Sequence, residues 1–333
     1  MKDLCNYSLL AHNTFGINAR CARFLEYETA IEAQQIAEIL RESSLPYIII
    51  GSGSNLLLTR DFPGIVVHSA VKGWDIAGKR MACGSGEVWD DIVAISLRNG
   101  LYGAENLSLI PGDVGASAVQ NIGAYGVEAK DFIREVHAIE IATGRLCIID
   151  SADCNYGYRQ SRFKEEWKNR FLITMVVYEF SDTFHPRLDY GNIRGEMERQ
   201  GISEPTPQQL RQIIIDIRNA KLPDPQVQGN AGSFFMNPVV SRAKYEELAA
   251  QYPQMPHYTI GSESEKIPAG WMIEQCGWKG KALGRAGVHD KQALVLVNLG
   301  GATGQEVVDL CETIRRDVHD KFDIDIHPEV NII

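Results

Sequence analysis

Apolar residues recur at helical spacing over residues 29–42, where Ala33, Ile36, Ala37 and Leu40 share one face, and the chain then enters the unbroken apolar run Tyr47–Ile50. A helix feeding a buried strand is expected. Pro63-Gly64 marks a turn before a short strand at 65–68, residues 81–86 (MACGSG) read as a glycine turn, and Val88, Ile92 and Ile95 define an amphipathic helix ending near Arg98. Residues 132–141, 146–149 and 171–180 alternate or run apolar with β-branched side chains, which predicts antiparallel strands. The polar, turn-rich stretch 181–205 reads as a connecting loop. Thr206-Pro207 with Gln209 forms a capping box, and Leu210, Ile213, Ile214 and Ile217 mark the core face of the helix that follows. Leu222-Pro223-Asp224-Pro225 stops that helix and opens a second region. That region carries helices at 241–252 and 268–275, a strand at 293–297, a helix capped by Thr303 and Glu306, and a strand-like tail at 322–333. The pattern as a whole is α+β.

Glycines then single out two loops. Gly51-Ser52-Gly53-Ser54-Asn55 follows a strand directly, and residues 110–126 read IPGDVGASAVQNIGAYG. Glycine lacks Cβ and reaches φ > 0, so successive N–H groups can line a concavity for an anion such as a pyrophosphate. A glycine-rich double turn with no ligand is the alternative reading. No Gly-Lys-Ser/Thr follows Gly112 or Gly115, and neither loop spells G-x-G-x-x-G, which excludes the two commonest nucleotide loops.

A length of 333 residues suggests two or three domains, and a composition 44% apolar and 23% charged is that of a globular protein. With 33 Lys and Arg against 43 Asp and Glu, the net charge of -10 gives no global attraction for nucleic acid or anionic membrane. An anionic ligand needs a local cluster of cations. Seven scattered cysteines without a C-x-x-C pair are expected to be reduced thiols, and no metal site is expected, His289-Asp290 and His327-Pro328-Glu329 being the only histidines beside a carboxylate that suggest one. The start of the chain is too short and polar for a secretory signal and no apolar run reaches about 18 residues, so a cytoplasmic protein is expected.

The two loops acquire meaning beside Asn13-Thr14-Phe15-Gly16, Tyr156-Gly157-Tyr158-Arg159-Gln160-Ser161, the segment GSFFMNP from Gly232, KIPAGW at 266–271, and His327-Pro328-Glu329-Val330. In this order, over nearly its full length, the chain resembles the UDP-N-acetylenolpyruvoylglucosamine reductase family. The stretch 181–205, with Asp189-Tyr190-Gly191-Asn192, looks like the Tyr-bearing loop of the family's first type. The resemblance implies a two-part FAD-binding domain of the vanillyl-alcohol-oxidase/PCMH type and a separate α/β substrate-binding domain. The expected divisions are 1–66 with the tail 322–333, then 67–221, then 222–321. It further implies NADPH-dependent, FAD-mediated reduction of UDP-N-acetylglucosamine enolpyruvate to UDP-N-acetylmuramate, by a cytoplasmic monomer of peptidoglycan precursor synthesis.

Site residues follow from the same resemblance. Gly51, Ser52, Gly53, Ser54, Asn55, Pro111, Gly112, Gly115, Ala116 and Ser117 are expected at the FAD pyrophosphate and ribityl chain, and Asn121, Gly123, Ala124 and Tyr125 beside the isoalloxazine ring. Arg159 and Glu329 are expected at the enolpyruvyl carboxylate, and Ser233 as donor of a proton to the α-carbon after hydride reaches the β-carbon. Glu329 is either kept neutral to donate a hydrogen bond, or ionised and orienting Arg159. Tyr190, Lys221, Asn237 and Gln292 are expected on the UDP portion. Asp113 stands out as a negative charge near a pyrophosphate. With no His or Cys between Cys83 and His137, a covalent flavin link from the long glycine segment is excluded. Two other readings are a flavoprotein oxidase of the same FAD fold and a non-catalytic UDP-sugar-binding protein.

Overall fold

The computed structural model describes residues 1–333 and divides into two compact units. The first comprises Met1–Tyr7, Cys21–Ser52 and Phe62–Asn219; the second comprises Ser8–Arg20, Gly53–Asp61 and Ala220–Ile333. The short stretches 8–20 and 53–61 fall in the unit that holds the C-terminal residues.

In the first unit, a four-stranded sheet runs in the order Lys2–Ser8, Arg20–Tyr27, Phe62–Ser69, Tyr47–Ile50. Both Arg20–Tyr27 and Tyr47–Ile50 pair parallel with Phe62–Ser69. Parallel pairing needs a crossover, and helix α1 (Ala30–Glu42) supplies it. Its buried face is Ala33, Ile36, Ala37 and Leu40, the four positions at helical spacing. A second sheet is antiparallel, in the order Leu146–Asp150, Ile133–Glu140, Phe171–Glu179, Arg80–Gly84, Trp74–Ala77. The predicted glycine turn at 81–86 is therefore mostly strand, because its apolar residues Met81 and Cys83 are fully buried.

Helix α2 (Trp89–Arg98) buries Trp89, Ile92, Val93 and Leu97, whereas Val88, placed on the core face by spacing, precedes the helix and is exposed. Residues 110–126 are not one long loop. Val114–Gln120 is a seven-residue helix, α3, with Val114 and Ala118 fully buried in the core beside the antiparallel sheet. The stretch 181–205 likewise holds a short helix, α4 (Ile193–Arg199), whose Ile193 and Met197 pack with Leu210, Ile213, Ile214 and Ile217 of α5 (Pro207–Lys221). The Thr206 and Gln209 capping box forms in both directions, at 2.9 and 3.2 Å.

The second unit holds α6 (Arg242–Gln251), α7 (Ala269–Gln275), α8 (Gly304–Phe322) and two three-stranded sheets. Tyr252, Trp271 and Phe322 form an aromatic triad with centroids 5.3–5.7 Å apart, fastening the ends of α6, α7 and α8 together. The strand expected at 293–297 is regular only at Leu296–Asn298. In the tail, only Asn331–Ile332 is strand, paired parallel with Leu56–Leu57. No helix is long and apolar enough to cross a membrane.

Candidate functional site

In the first unit the strand Tyr47–Ile50 ends at Gly51, which lies against the start of the long glycine segment. A Cβ on Gly51 would stand 2.9 Å from Asp113 Oδ2 and 3.4 Å from the Ala116 Cβ. With no Cβ, Gly51 leaves room for the Asp113 carboxyl to turn in against it. The Ser52 N–H donates to the Asp113 carboxyl, and two polar atoms in this turn pair, Ser52 Oγ and Asp113 Oδ2, are buried with no hydrogen-bond partner. Buried orphans of this kind fit a polar ligand that completes them. Gly112 adopts φ +127° and uses its carbonyl to accept from Trp89 N–H at 2.9 Å.

Several expected cofactor residues are committed elsewhere through their side chains. Ser117 Oγ is fully buried, bonded to Val114 O and to Tyr178 Oη at 2.7 Å each. Gly115 seats α3 on the turn at Ser85, since its Cβ would come within 3.0 Å of Ser85 Cβ. Asn121, in the left-handed region, donates to Gly157 O at 2.7 Å and Glu128 Oε2 at 2.9 Å, and accepts from Lys130 N at 3.0 Å. Asn121 therefore ties the glycine segment to the loop that carries Arg159, and any contact with a cofactor is left to its backbone.

Arg159 itself holds φ +55°, and its guanidinium donates to the Gly123 carbonyl. Gly123 and Ala124 pair with Val127 and Glu128 in a tight hairpin whose turn is Tyr125-Gly126. Burial pushes the Tyr125 phenol up, with Arg218 hydrogen-bonded to it and opposing that shift. Tyr190 and Gly191 pack over this turn: a Cβ on Gly126 would be 3.4 Å from Tyr190 Cβ, and one on Gly191 would be 3.2 Å from the Tyr125 ring. The buried Asn106 amide donates to both Tyr125 O and Arg187 O at 2.9 Å, fixing the base of the Tyr190 arm.

In the second unit, Gly53 at φ +74° passes so close to His12 that a Cβ would lie 2.0 Å from its carbonyl. Asn55 Nδ2 donates to Glu329 O at 3.3 Å, and Asn331 N–H returns a bond to Asn55 O at 3.1 Å. The tail then runs antiparallel beside the GSFFMNP segment, with Glu329 N–H donating to Phe234 O at 2.8 Å and Met236 N–H to His327 O at 2.9 Å. Ser233 is exposed between Gly232, at φ +68°, and the fully buried Phe234, and Glu329 is half-buried beside this segment. Asn237 Oδ1 accepts from Ala269 N–H at 2.9 Å, while Gln292 Oε1 accepts from Leu294 N–H at 3.3 Å. Leu294 O in turn accepts from Phe234 N–H at 2.7 Å. Glu329, Ser233, Asn237 and Gln292 thus hang from one hydrogen-bonded framework, while Lys221 is exposed at the end of α5.

One cation was missed by sequence reasoning. Arg218 lies one turn beyond Ile214 on α5, its Nε buried without a partner, with burial working against its charge and Tyr125 and Asp90 supporting it. The signal available was an arginine four residues after the core-facing Ile214, which helical spacing places on the inner face.

Residues 22–150 match a family model described as FAD binding domain, and residues 224–333 match the C-terminal domain of UDP-N-acetylenolpyruvoylglucosamine reductase. A UDP-N-acetylenolpyruvoylglucosamine reductase of Bacteroides fragilis strain YCH46 is 53% identical, with 98% of this chain and 99% of that protein covered. One from Flavobacterium johnsoniae is 42% identical over the whole of both chains. Among solved structures, UDP-N-acetylenolpyruvylglucosamine reductase from Thermus caldophilus matches 99% of this chain and 98% of its own at a TM-score of 0.67 and 22% identity, a likeness of fold.

Proposed function

The chain belongs to the UDP-N-acetylenolpyruvoylglucosamine reductase family, FAD oxidoreductases of peptidoglycan precursor synthesis with NADPH as reductant, and we propose how its own residues serve that reduction. Bound FAD supplies the hydride, taken from NADPH, that adds to the β-carbon of UDP-N-acetylglucosamine enolpyruvate. Gly51 and Ser52 with residues 111–116 would hold the FAD diphosphate, where glycine backbone and two orphaned side-chain oxygens are concentrated. Gly53, Ser54 and Asn55 of the same loop would hold the ribityl chain, and residues 123–125 would flank the ring.

Hydride addition at the β-carbon leaves negative charge on the α-carbon and its carboxylate. Arg159, a permanent cation with a planar fork, binds that carboxylate, and Arg218 adds positive charge to the same unit. Ser233 donates its hydroxyl proton to the α-carbon. A serine hydroxyl is a weak acid, and only a strongly basic carbanion or enolate takes its proton readily. Glu329 acts at the substrate carboxylate, and Lys221, Asn237, Gln292 and Tyr190 take the UDP portion. We infer a cytoplasmic monomer.

The observation that carries this reading is the pairing of the C-terminal tail with the Ser233 segment, which sets a carboxyl acid and a hydroxyl on one rigid framework. The test is direct. The purified protein is expected to be yellow and to oxidise NADPH only when UDP-N-acetylglucosamine enolpyruvate is added; a colourless protein, or oxidation indifferent to that substrate, would overturn the reading.

A further inference from the structure

Asp113 sets a carboxyl group where a diphosphate is to bind. It precedes α3 at the position where an Asp side chain ordinarily accepts from an early helical N–H, yet it makes no such bond. The carboxyl turns instead to the 51–52 turn, accepts the Ser52 N–H, and leaves Oδ2 buried and unpartnered beside Gly51. Ser52 Oγ is orphaned in the same turn pair. A diphosphate and a ribityl chain present mainly acceptor oxygens to this wall. An ionised Asp113 would offer them only a further acceptor and a like charge, whereas a protonated one offers a donor.

We propose that Asp113 is protonated when FAD is bound, and that its Oδ2–H donates to an oxygen of the cofactor beside the Ser52 hydroxyl. The proposal rests on the placement of FAD at residues 51–55 and 111–117. The proton comes from solvent, so each cofactor bound takes up one proton wherever the free protein holds Asp113 as carboxylate. The surroundings support the direction. Burial raises the Asp113 carboxyl, and of the cations that oppose this, His68 is bonded to Glu26 at 2.9 Å and Lys72 lies 3.7 Å from Glu87 and bonds Gly86 O. Glu87, on the segment bridged to Asp113 through Val88, is itself taken up by Lys72 and the Gly73 N–H. Gly51 and Ala116 complete the wall with nothing that titrates.

The experiment dilutes the holoenzyme from about pH 6 to about pH 8.5 and reads released FAD by its fluorescence, with calorimetric rebinding of FAD to the full-length chain in two buffers of different ionisation enthalpy. Wild type is expected to lose affinity up to about tenfold per pH unit and to take up about one proton per FAD in the same window. Asp113→Asn, which keeps a neutral donor of the same shape, is expected to bind with a flat pH profile at near the low-pH affinity. Asp113→Ala is expected to bind more weakly with the same flat profile. A wild type with no proton uptake and no slope overturns the proposal, and that measurement needs no variant to fold. So does an Asp113→Asn protein weakened as much as Asp113→Ala. Gly51→Val separates the two levels: if it leaves FAD affinity unchanged, the placement itself fails.

Discussion

Gly123 does not adopt a positive φ, yet a Cβ there would stand 2.8 Å from Arg159 Nη1 and 2.9 Å from Val127 O. Its glycine is required by the arginine, which reaches in to bond the Gly123 carbonyl. Gly123→Ala should therefore push the guanidinium aside and lower kcat/KM for the enolpyruvyl substrate about 100-fold while FAD content stays normal, as steady-state kinetics with an absorbance spectrum would show. Flavin lost in parallel with activity would show that the added methyl disturbs the cofactor and not only the Arg159 guanidinium. Ser233 is expected to separate two half-reactions. In Ser233→Ala, NADPH should still bleach the flavin at the wild-type rate, while turnover falls about 10²–10⁴-fold for want of the proton; retained turnover removes Ser233 from the mechanism. These residues could be nominated from the sequence because their motifs are contiguous. Arg218 could not, because it is a single arginine in an ordinary amphipathic helix whose significance comes from Tyr125, far away in sequence.

Elements whose signals are local were readable as they stand: the capping boxes at Thr206 and Thr303 both close, since each needs only residues three apart. Helices α3 and α4 were hidden, because each is seven residues long and depends on a core made elsewhere rather than on its own periodicity. The Tyr190 arm shows how such an element is positioned. One buried amide, that of Asn106, bonds the arm at Arg187 O and the neighbouring hairpin at Tyr125 O, so Asn106→Leu keeps the side-chain volume and leaves both carbonyls without that partner. We expect faster proteolytic cutting within residues 183–192 and a raised KM for the UDP substrate with little change in KM for NADPH. Unchanged cleavage would show that the arm is held by other contacts. The tail is positioned by backbone pairing, with Asn331 and Ile333 bonded to Asn55 and Leu57. Deleting the last six residues is expected to abolish reduction while leaving part of the FAD binding intact, and an active truncation would exclude Glu329 from the chemistry.

At the scale of the molecule, what sequence reading could not supply is sequence-distant. Asn55 and Glu329 are 274 residues apart, and no local pattern announces that 53–61 folds with the C-terminal residues. The same long-range logic governs stability against acid. Asp90, on α2, accepts from Leu109 N–H and takes both guanidinium nitrogens of Arg211, on α5, at 2.6 and 2.9 Å. Burial works against its charge, but Arg211 and the Leu109 bond hold its carboxyl below the usual range. A carboxyl so depressed contributes stability that is present above the unfolded value of ~3.9 and is lost as pH falls through the folded value. Asp113 and Glu105 run the other way, because burial raises them and their ionisation is a cost that grows as pH rises. Asp90→Asn keeps the shape and removes the charge that Arg211 needs, at about 2 kcal/mol, so thermal melts at pH 7 should fall by about 4–8 °C. The gap between variant and wild type should then begin to narrow below the unfolded value of ~3.9 and close as pH falls through the lower folded value, where wild type protonates Asp90 itself. A gap that stays constant down to pH 3 would show that the pair contributes shape and hydrogen bonding alone.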